Sequence, residues 1–277
     1  MQTAAATTQT PQLLAGKTMA ITGGVTGIGR AIVLGYLAHG ANVAINHLGD
    51  PSSREHFQSL LVEVSQSLGG TEHDARQRAV QVPGDVSDPE TGRKLVDAAV
   101  GKWGRLDVFI SNAGICEFTE FLEITPDLWN KHLTTNLTGA FHTIHAAATQ
   151  MSKQHHPPGG SIIGMSSISA LVGGAHQAHY TPTKAGILSL IQSSACALGK
   201  YNIRCNALLP GTIETQMNEK DLADDGKRTY MEGRIPLGRM GVPGDLVGPA
   251  VFLGSELSAY VTGAQLLVDG GLFVNLQ

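Results

Sequence analysis

The stretch HYTPTKAG, residues 179–186, sets a phenol and an ammonium four residues apart, Tyr180 and Lys184, with Pro182 in the first turn between them. On a helix, positions i and i+4 share one face, so the two side chains meet. Such a pair is either an exposed polar face or a lysine that makes a phenol acidic enough to move protons near neutral pH. The spacing alone allows both. A second group of residues bears on the choice. In TGGVTGIG, residues 22–29, Gly23, Gly27 and Gly29 stand where an apolar strand turns sharply into a helix. Glycine permits the turn and lets backbone N–H groups approach a pyrophosphate, while the helix N-terminus offers partial positive charge. A glycine triplet by itself also describes an ordinary strand-to-helix turn. Its position near the chain start, after a strand and before a helix, is the context of a dinucleotide cradle.

Two further stretches support a dinucleotide. GDVSD (84–88) follows the third apolar run and offers Asp85 to an adenine amino group, and SNAG (111–114) follows the fourth. All three lie at strand C-terminal ends, where open α/β sheets bind ligands. The second strand should end on the residue that reads the ribose. An Asp there would accept from both hydroxyls and repel a 2'-phosphate. This chain has Asn46 and His47, then Leu48, with no acid and no immediate Arg or Lys; Arg54 lies a few residues on. NAD and NADP both stay open on this reading. No metal site is expected: His155–His156 in KQHHPPGG reads as a solvated turn, without a carboxylate or Cys at ligand spacing.

The elements that must position these groups alternate. Apolar runs at 18–22, 42–46, 78–82, 106–110, 161–165, 203–209 and 264–270 read as strands. Between them, helices are expected over 27–40, over 52–68 with Leu60, Leu61, Val64 and Leu68 on one face, over 88–103, over 126–151 opened by Thr125 and Pro126, and from about His179 onward. The alternation predicts a single α/β domain over 17–277, doubly wound (Rossmann-type), with a parallel seven-stranded sheet and helices on both faces. A flexible tail is expected over 1–16. Residues 213–235, rich in charge and Met, lie where a mobile lid would sit.

The 277 residues permit one large domain or two small ones, and no composition shift or repeat marks a second. A formal net charge of -4 argues against nucleic acid as the main partner. No apolar run approaches the roughly 20 residues that span a bilayer. Cys116, Cys196 and Cys205 are odd in number and lack CxxC spacing, so reduced, mostly buried thiols are expected, with Cys116 a candidate pocket wall. The N-terminal stretch has no basic start and no apolar core of a secretory signal, and a cytoplasmic location is expected.

TGGVTGIG, NAG, Asn136 in NLTG, Ser167 in MSSIS, Tyr180-x-x-x-Lys184 and PGTIET (210–215) occur in this order across about residues 18–270. Each motif is modest; together they resemble the short-chain dehydrogenase/reductase family. The resemblance implies that Tyr180 is the general base in alcohol oxidation and the acid in carbonyl reduction. Lys184, helped by the charge of a nicotinamide, would lower the phenol's pKa and would also hold the nicotinamide ribose. Ser167 would hold the substrate oxygen, and Asn136 would anchor a water linking Lys184 to solvent. The cofactor would further touch Thr26 and Ile28, Val86, Asn112, Ala113 and Gly114, and Pro210, Gly211, Ile213 and Thr215. A homotetramer is implied as well.

Within that family, SSISALVGGAHQAHYTPTKAGILSL, MEGRIPLGR and LLVDGGLFVNLQ resemble the L-rhamnose 1-dehydrogenases, fungal ones most of all. This implies oxidation of a sugar at C1 to its lactone, with NAD favoured and NADP possible. A sugar needs hydrogen-bonding walls, for which Ser167, Ser169, Gln177, Glu117, Glu214 and Tyr180 are candidates. His176 and His179 are candidate pocket linings too, but position 179 turns about 100° from the Tyr180 face and is given no role as a base. Two competing readings make distinct demands. An NADPH-dependent ketone or 3-oxoacyl reductase needs a basic reader of the 2'-phosphate. A non-catalytic NAD(P)-sensing scaffold would have a damaged catalytic group.

Overall fold

The computed structural model describes residues 12–68, 70–219 and 221–275. The strands are β1 (Thr18–Ile21), β2 (Asn42–His47), β3 (Ala79–Pro83), β4 (Val108–Ser111), β5 (Gly160–Met165), β6 (Ile203–Pro210) and β7 (Gln265–Val268). Among the described residues they form one sheet in the order β3-β2-β1-β4-β5-β6-β7, and every neighbouring pair is parallel. Parallel strands need crossovers, which the helices supply. Because side chains alternate across a strand, Met19 and Ile21 face one layer and Ala20 the other. The first layer joins them to Ile32, Tyr36, Leu60, Leu61, Val64 and Leu253. The second joins Ala20 and Phe109 to Leu95, Ile144, Ile187 and Ile191. The sheet is thus covered on both sides, as its near-continuous apolar strands require.

The covering helices are α1 (Gly27–Ala38), α2 (Pro51–Leu68), α3 (Glu72–Arg78), α4 (Pro89–Trp103), α5 (Pro126–His132), α6 (Gly139–Met151), α7 (Thr181–Leu198), α8 (Asp225–Arg234) and α9 (Val247–Gly254). The side chain of Leu68, read onto the buried face of α2, lies outside what is described. α4 opens on Asp88, whose carboxylate accepts the Glu90 N–H, and stops at Gly104 in the left-handed region. Two readings change. The single helix expected over 126–151 is α5 and α6 joined by a π-helical turn, Leu133–Thr138. The tail expected over 1–16 does not extend to residues 12–16: Leu14 is fully buried, and its N–H donates to the His39 carbonyl at 2.9 Å. Residues 1–11 lie outside the described ones.

β1 lies between β2 and β4, so the chain winds outward one way through β3 and then the other way from β4. A crevice opens at this reversal, beyond the C-terminal ends of the strands. Over its far side, the 213–235 segment contributes α8 and also Leu222 and Ile235, which join Met240 and Leu272 in a small apolar cluster with Ile168 and Met231 packed against it.

Candidate active site

The crevice is a cleft of about 1300 Å³. Its floor is the turn from β1 into α1. Gly23 has φ +63° and Gly27 φ +51°, a region open to glycine and strained for other residues. Gly29 is excluded from substitution differently: a Cβ there would lie 2.1 Å from the Gly23 carbonyl oxygen. Thr26 makes no side-chain cap on α1, and the first turn carries no acid. The free N–H groups of that turn therefore face the cleft with the helix dipole behind them. This donor set, in a cradle that a single Cβ would fill, fits a pyrophosphate. Gly29→Ala is expected to weaken NAD binding at least about tenfold, the scale of an overpacking penalty; a fluorescence titration checks it, with circular dichroism as the fold control.

The cradle is tied to the next strand. The Asn112 amide donates to the carbonyls of Thr22 at 3.0 Å and Gly23 at 2.9 Å. The Thr22 hydroxyl accepts the N–H groups of Asn112 and Ala113, each at 3.0 Å. Thr22 was not singled out from sequence, although it directly precedes the glycine turn. The other cofactor candidates, Ile28, Asp85, Val86, Gly114, Pro210, Gly211, Ile213 and Thr215, all line the cleft.

The ribose end departs from expectation. Asn46 and His47 border the cleft, but their side chains turn towards β3, where Asn46 pairs with Val82. The Asn46 amide donates to the carbonyls of Val82 at 3.1 Å and Gly84 at 2.9 Å. His47 Nδ1 accepts the Gly49 N–H at 3.0 Å, and Nε2 meets Gln81 Oε1 at 3.0 Å. With both ring nitrogens engaged and the residue buried, His47 shapes the β2–α2 turn and is not free to read a ribose. Arg54 turns back onto the Gly49 carbonyl at 2.7 Å and stays outside the cleft. The wall there is Leu48, Asp50, Ser52, Ser53 and His56.

The catalytic wall stands opposite the cradle. Tyr180 directly precedes α7, and the Ser167 side chain stands near enough to the phenol to favour its ionised form. Ser167 Oγ also accepts the Ser169 N–H at 3.1 Å, which fixes the serine. Lys184 is buried; its Nζ donates to the Met165 carbonyl at 3.0 Å and lies 5.5 Å from the Tyr180 ring centroid. Burial pushes the lysine down to about 8. Burial also pushes the phenol above its ordinary value, the Cys116 thiol acts in the same direction, and the nearby Ser167 side chain acts against both. In the protein by itself desolvation wins, so the expected lowering of the phenol's pKa depends on the charge that the nicotinamide brings.

Asn136 sits in the π-helical turn, fully buried. Its Oδ1 accepts the Ile115 N–H at 2.8 Å, and its Nδ2 donates to the Ile115 carbonyl at 2.9 Å and to Thr183 Oγ1 at 3.2 Å. The side chain is a clamp between the loop after β4 and α7. A π-turn at such a point is in keeping with where these turns occur. Of the sugar-contact candidates, Ser167, Ser169, Gln177 and Tyr180 line the cleft, as do Cys116 and His176. Gln177 Nε2 donates to Cys116 Sγ at 3.4 Å. Glu117 and Glu214 do not line it. Glu117 is paired with Lys131 at 2.7 Å and Glu214 with Arg228. His179 is fully buried away from the cleft. The sequence reading missed Phe118, Asp221 and Tyr230, which close the far side.

A family model described as enoyl-(acyl carrier protein) reductase matches residues 23–273. A putative short-chain alcohol dehydrogenase of Sinorhizobium meliloti superposes with a TM-score of 0.86 at 30% identity, covering 96% of this chain and 100% of that one. The chain belongs to the short-chain dehydrogenase/reductase family. As a short-chain dehydrogenase/reductase it has well-matched relatives. L-rhamnose-1-dehydrogenase of Scheffersomyces stipitis is 62% identical over 265 residues, 96% of this chain and 99% of that protein. L-rhamnose 1-dehydrogenase (NAD(P)(+)) of a Sphingomonas species is 55% identical over 268 residues, 96% of this chain and 100% of that protein.

Proposed function

We propose that this protein oxidises L-rhamnose at C1 with NAD, giving the lactone. The observation that carries the reading is the complete Ser167–Tyr180–Lys184 group facing a dinucleotide cradle across one cleft, in a chain whose high-identity relatives bear that activity in their names. Thr26, Gly27, Ile28 and Gly29 would hold the pyrophosphate, Asp85 and Val86 the adenine, Asn112–Gly114 and residues 210–215 the rest. A bound nicotinamide supplies the hydride acceptor and a positive charge.

Ser167 and Tyr180 hydrogen-bond the C1 hydroxyl and orient its carbon towards the cradle side. Tyr180 takes the hydroxyl proton as the C1–O bond becomes a carbonyl and the C1 hydrogen leaves as hydride. The ring oxygen of the sugar stabilises the charge that develops at C1. Lys184, held by the Met165 carbonyl beside the phenol ring, stabilises the phenolate once the cleft carries more positive charge. Ser169 and Gln177 present hydrogen-bonding groups to the sugar. Asn136 keeps the Ile115 loop and α7 in register, and the water linking Lys184 to solvent is assigned to its neighbourhood.

NAD is favoured because no Lys or Arg lines the corner beyond β2, while the Asp50 carboxylate does; NADP is admitted. A homotetramer in the cytoplasm is the assembly and location this reading carries. Among the described residues no helix is long and apolar enough to cross a membrane. The test is an aldose panel with NAD and with NADP, following absorbance of the reduced nicotinamide. L-rhamnose with NAD is expected to give the highest kcat/KM. No signal with rhamnose beside an active 3-oxo compound and NADPH would move the assignment to a ketone or 3-oxoacyl reductase.

A further inference from the structure

Behind the catalytic wall lie two histidines that the proposed chemistry does not use. His132 ends α5, and His179 precedes Tyr180. Both are fully buried, with ring centroids 4.3 Å apart and planes at 88°. The neighbours of His132 fix its tautomer. Nδ1 stands 2.9 Å from the Leu128 carbonyl oxygen, which can only accept, so Nδ1 carries the hydrogen. Nε2 is then bare and accepts the Glu117 N–H at 3.3 Å. His179 has no hydrogen-bond partner at either ring nitrogen among the described residues. Unpartnered buried polar groups are costly. A hydrocarbon side chain would fill this space at less cost, so the nitrogens need a reason.

We propose that His132 and His179 are positioning residues, a buried pair that locks the loop after β4 against the Tyr180 segment, and that a proton taken up by His179 loosens this lock. Besides the Thr119 N–H, which donates to the His176 carbonyl at 3.0 Å, the loop is held at Ile115 by Asn136 and at Glu117 by His132. Between those points Cys116 lines the cleft and meets Gln177. A second proton on His179 would place a charged ring where no solvent reaches it and only the Glu117 backbone and carboxylate offset the cost. The groups acting on His179 are His132 and Glu117; Glu117 is itself held by Lys131 at 2.7 Å. Burial and His132 keep His179 below its ordinary value, against the opposing pull of the Glu117 backbone and carboxylate. The sign follows. As pH falls, the unfolded chain takes up the proton first, near the ordinary histidine value of about 6.5, so the stability of the lock is full above that pH and declines below it.

The experiment has two arms. In the first, thermal midpoints are compared at about pH 7.5 and about pH 5.5. The wild type is expected to lose about 1–3 °C more than His179→Leu on acidification. Equal losses in the two proteins overturn the proposal. The second arm rests on the proposed function and measures L-rhamnose kinetics at about pH 8, above the histidine range. His132→Leu is expected to raise KM about tenfold with a smaller change in kcat, and His132→Gln to return KM to within about threefold of wild type. A Gln variant as impaired as the Leu variant, or a Leu variant with unchanged KM, overturns the clamp. Absence of rhamnose turnover in wild type would sink the substrate assignment alone, because the first arm needs no sugar.

Discussion

Tyr180→Phe is expected to lower kcat by about 10²–10⁴-fold, the range that general acid–base catalysis supplies, while the Kd for NAD stays within about threefold. The contrast follows from what the phenol touches. Its hydroxyl has the Ser167 side chain nearby, and its ring stands beside Lys184. Phenylalanine keeps the ring and deletes only the oxygen. The lysine retains its bond to the Met165 carbonyl, and none of the cradle contacts of Thr22, Gly23 and Asn112 changes. Steady-state rates together with a fluorescence titration of NAD separate the two effects. Turnover within tenfold of wild type would show that another group moves the proton.

For Lys184→Met, losses are expected in two places and a gain in a third. Turnover should fall by at least about a hundredfold, because the variant has no cation to stabilise the phenolate. NAD affinity should fall about tenfold if the ammonium also holds the nicotinamide ribose; unchanged affinity would remove that contact from the proposal. Stability of the cofactor-free protein at neutral pH should rise or hold. Burial pushes Lys184 from 10.5 down to about 8, so the unfolded chain binds more protons than the folded one between those values. Wild-type stability from this group therefore increases with pH across that window, and below it the whole desolvation cost is present. Methionine carries no such cost. Thermal midpoints near pH 7 and near pH 10 test this: the wild type should gain on the variant as pH rises.

Much of the machine was readable because its parts are local. A glycine triplet between strand and helix, and a phenol one helical turn from an ammonium, each declare themselves within eight residues. The strand–helix alternation declared the sheet in the same way. What stayed hidden depends on contacts between distant segments or on the main chain. The apolar period over 126–151 is that of one helix, and nothing in it announces the extra turn that carries Asn136. Asn46 and His47 end the right strand, but their side chains are claimed by partners on β3, the Val82 and Gly84 carbonyls and Gln81. Glu117 and Glu214 looked available to a sugar until Lys131 and Arg228, each fourteen residues along the chain, were brought beside them. The Met165 carbonyl that holds Lys184 has no side-chain signature at all. The helix α8 buries none of its residues, so it lacks the apolar stripe by which α2 could be recognised.

The π-helical turn has a consequence for how this chain tolerates length change. Removing one residue from Leu133–Thr138 would restore ordinary helical pitch and make the backbone more regular. It would also swing the residues beyond the cut by about 100° relative to those before it. Either α6 would lose its seat on the sheet, or the amide that grips Ile115 would face elsewhere. The irregularity is the spacer that lets one continuous rod satisfy two incompatible angular demands, and a shorter, tidier rod could meet only one of them.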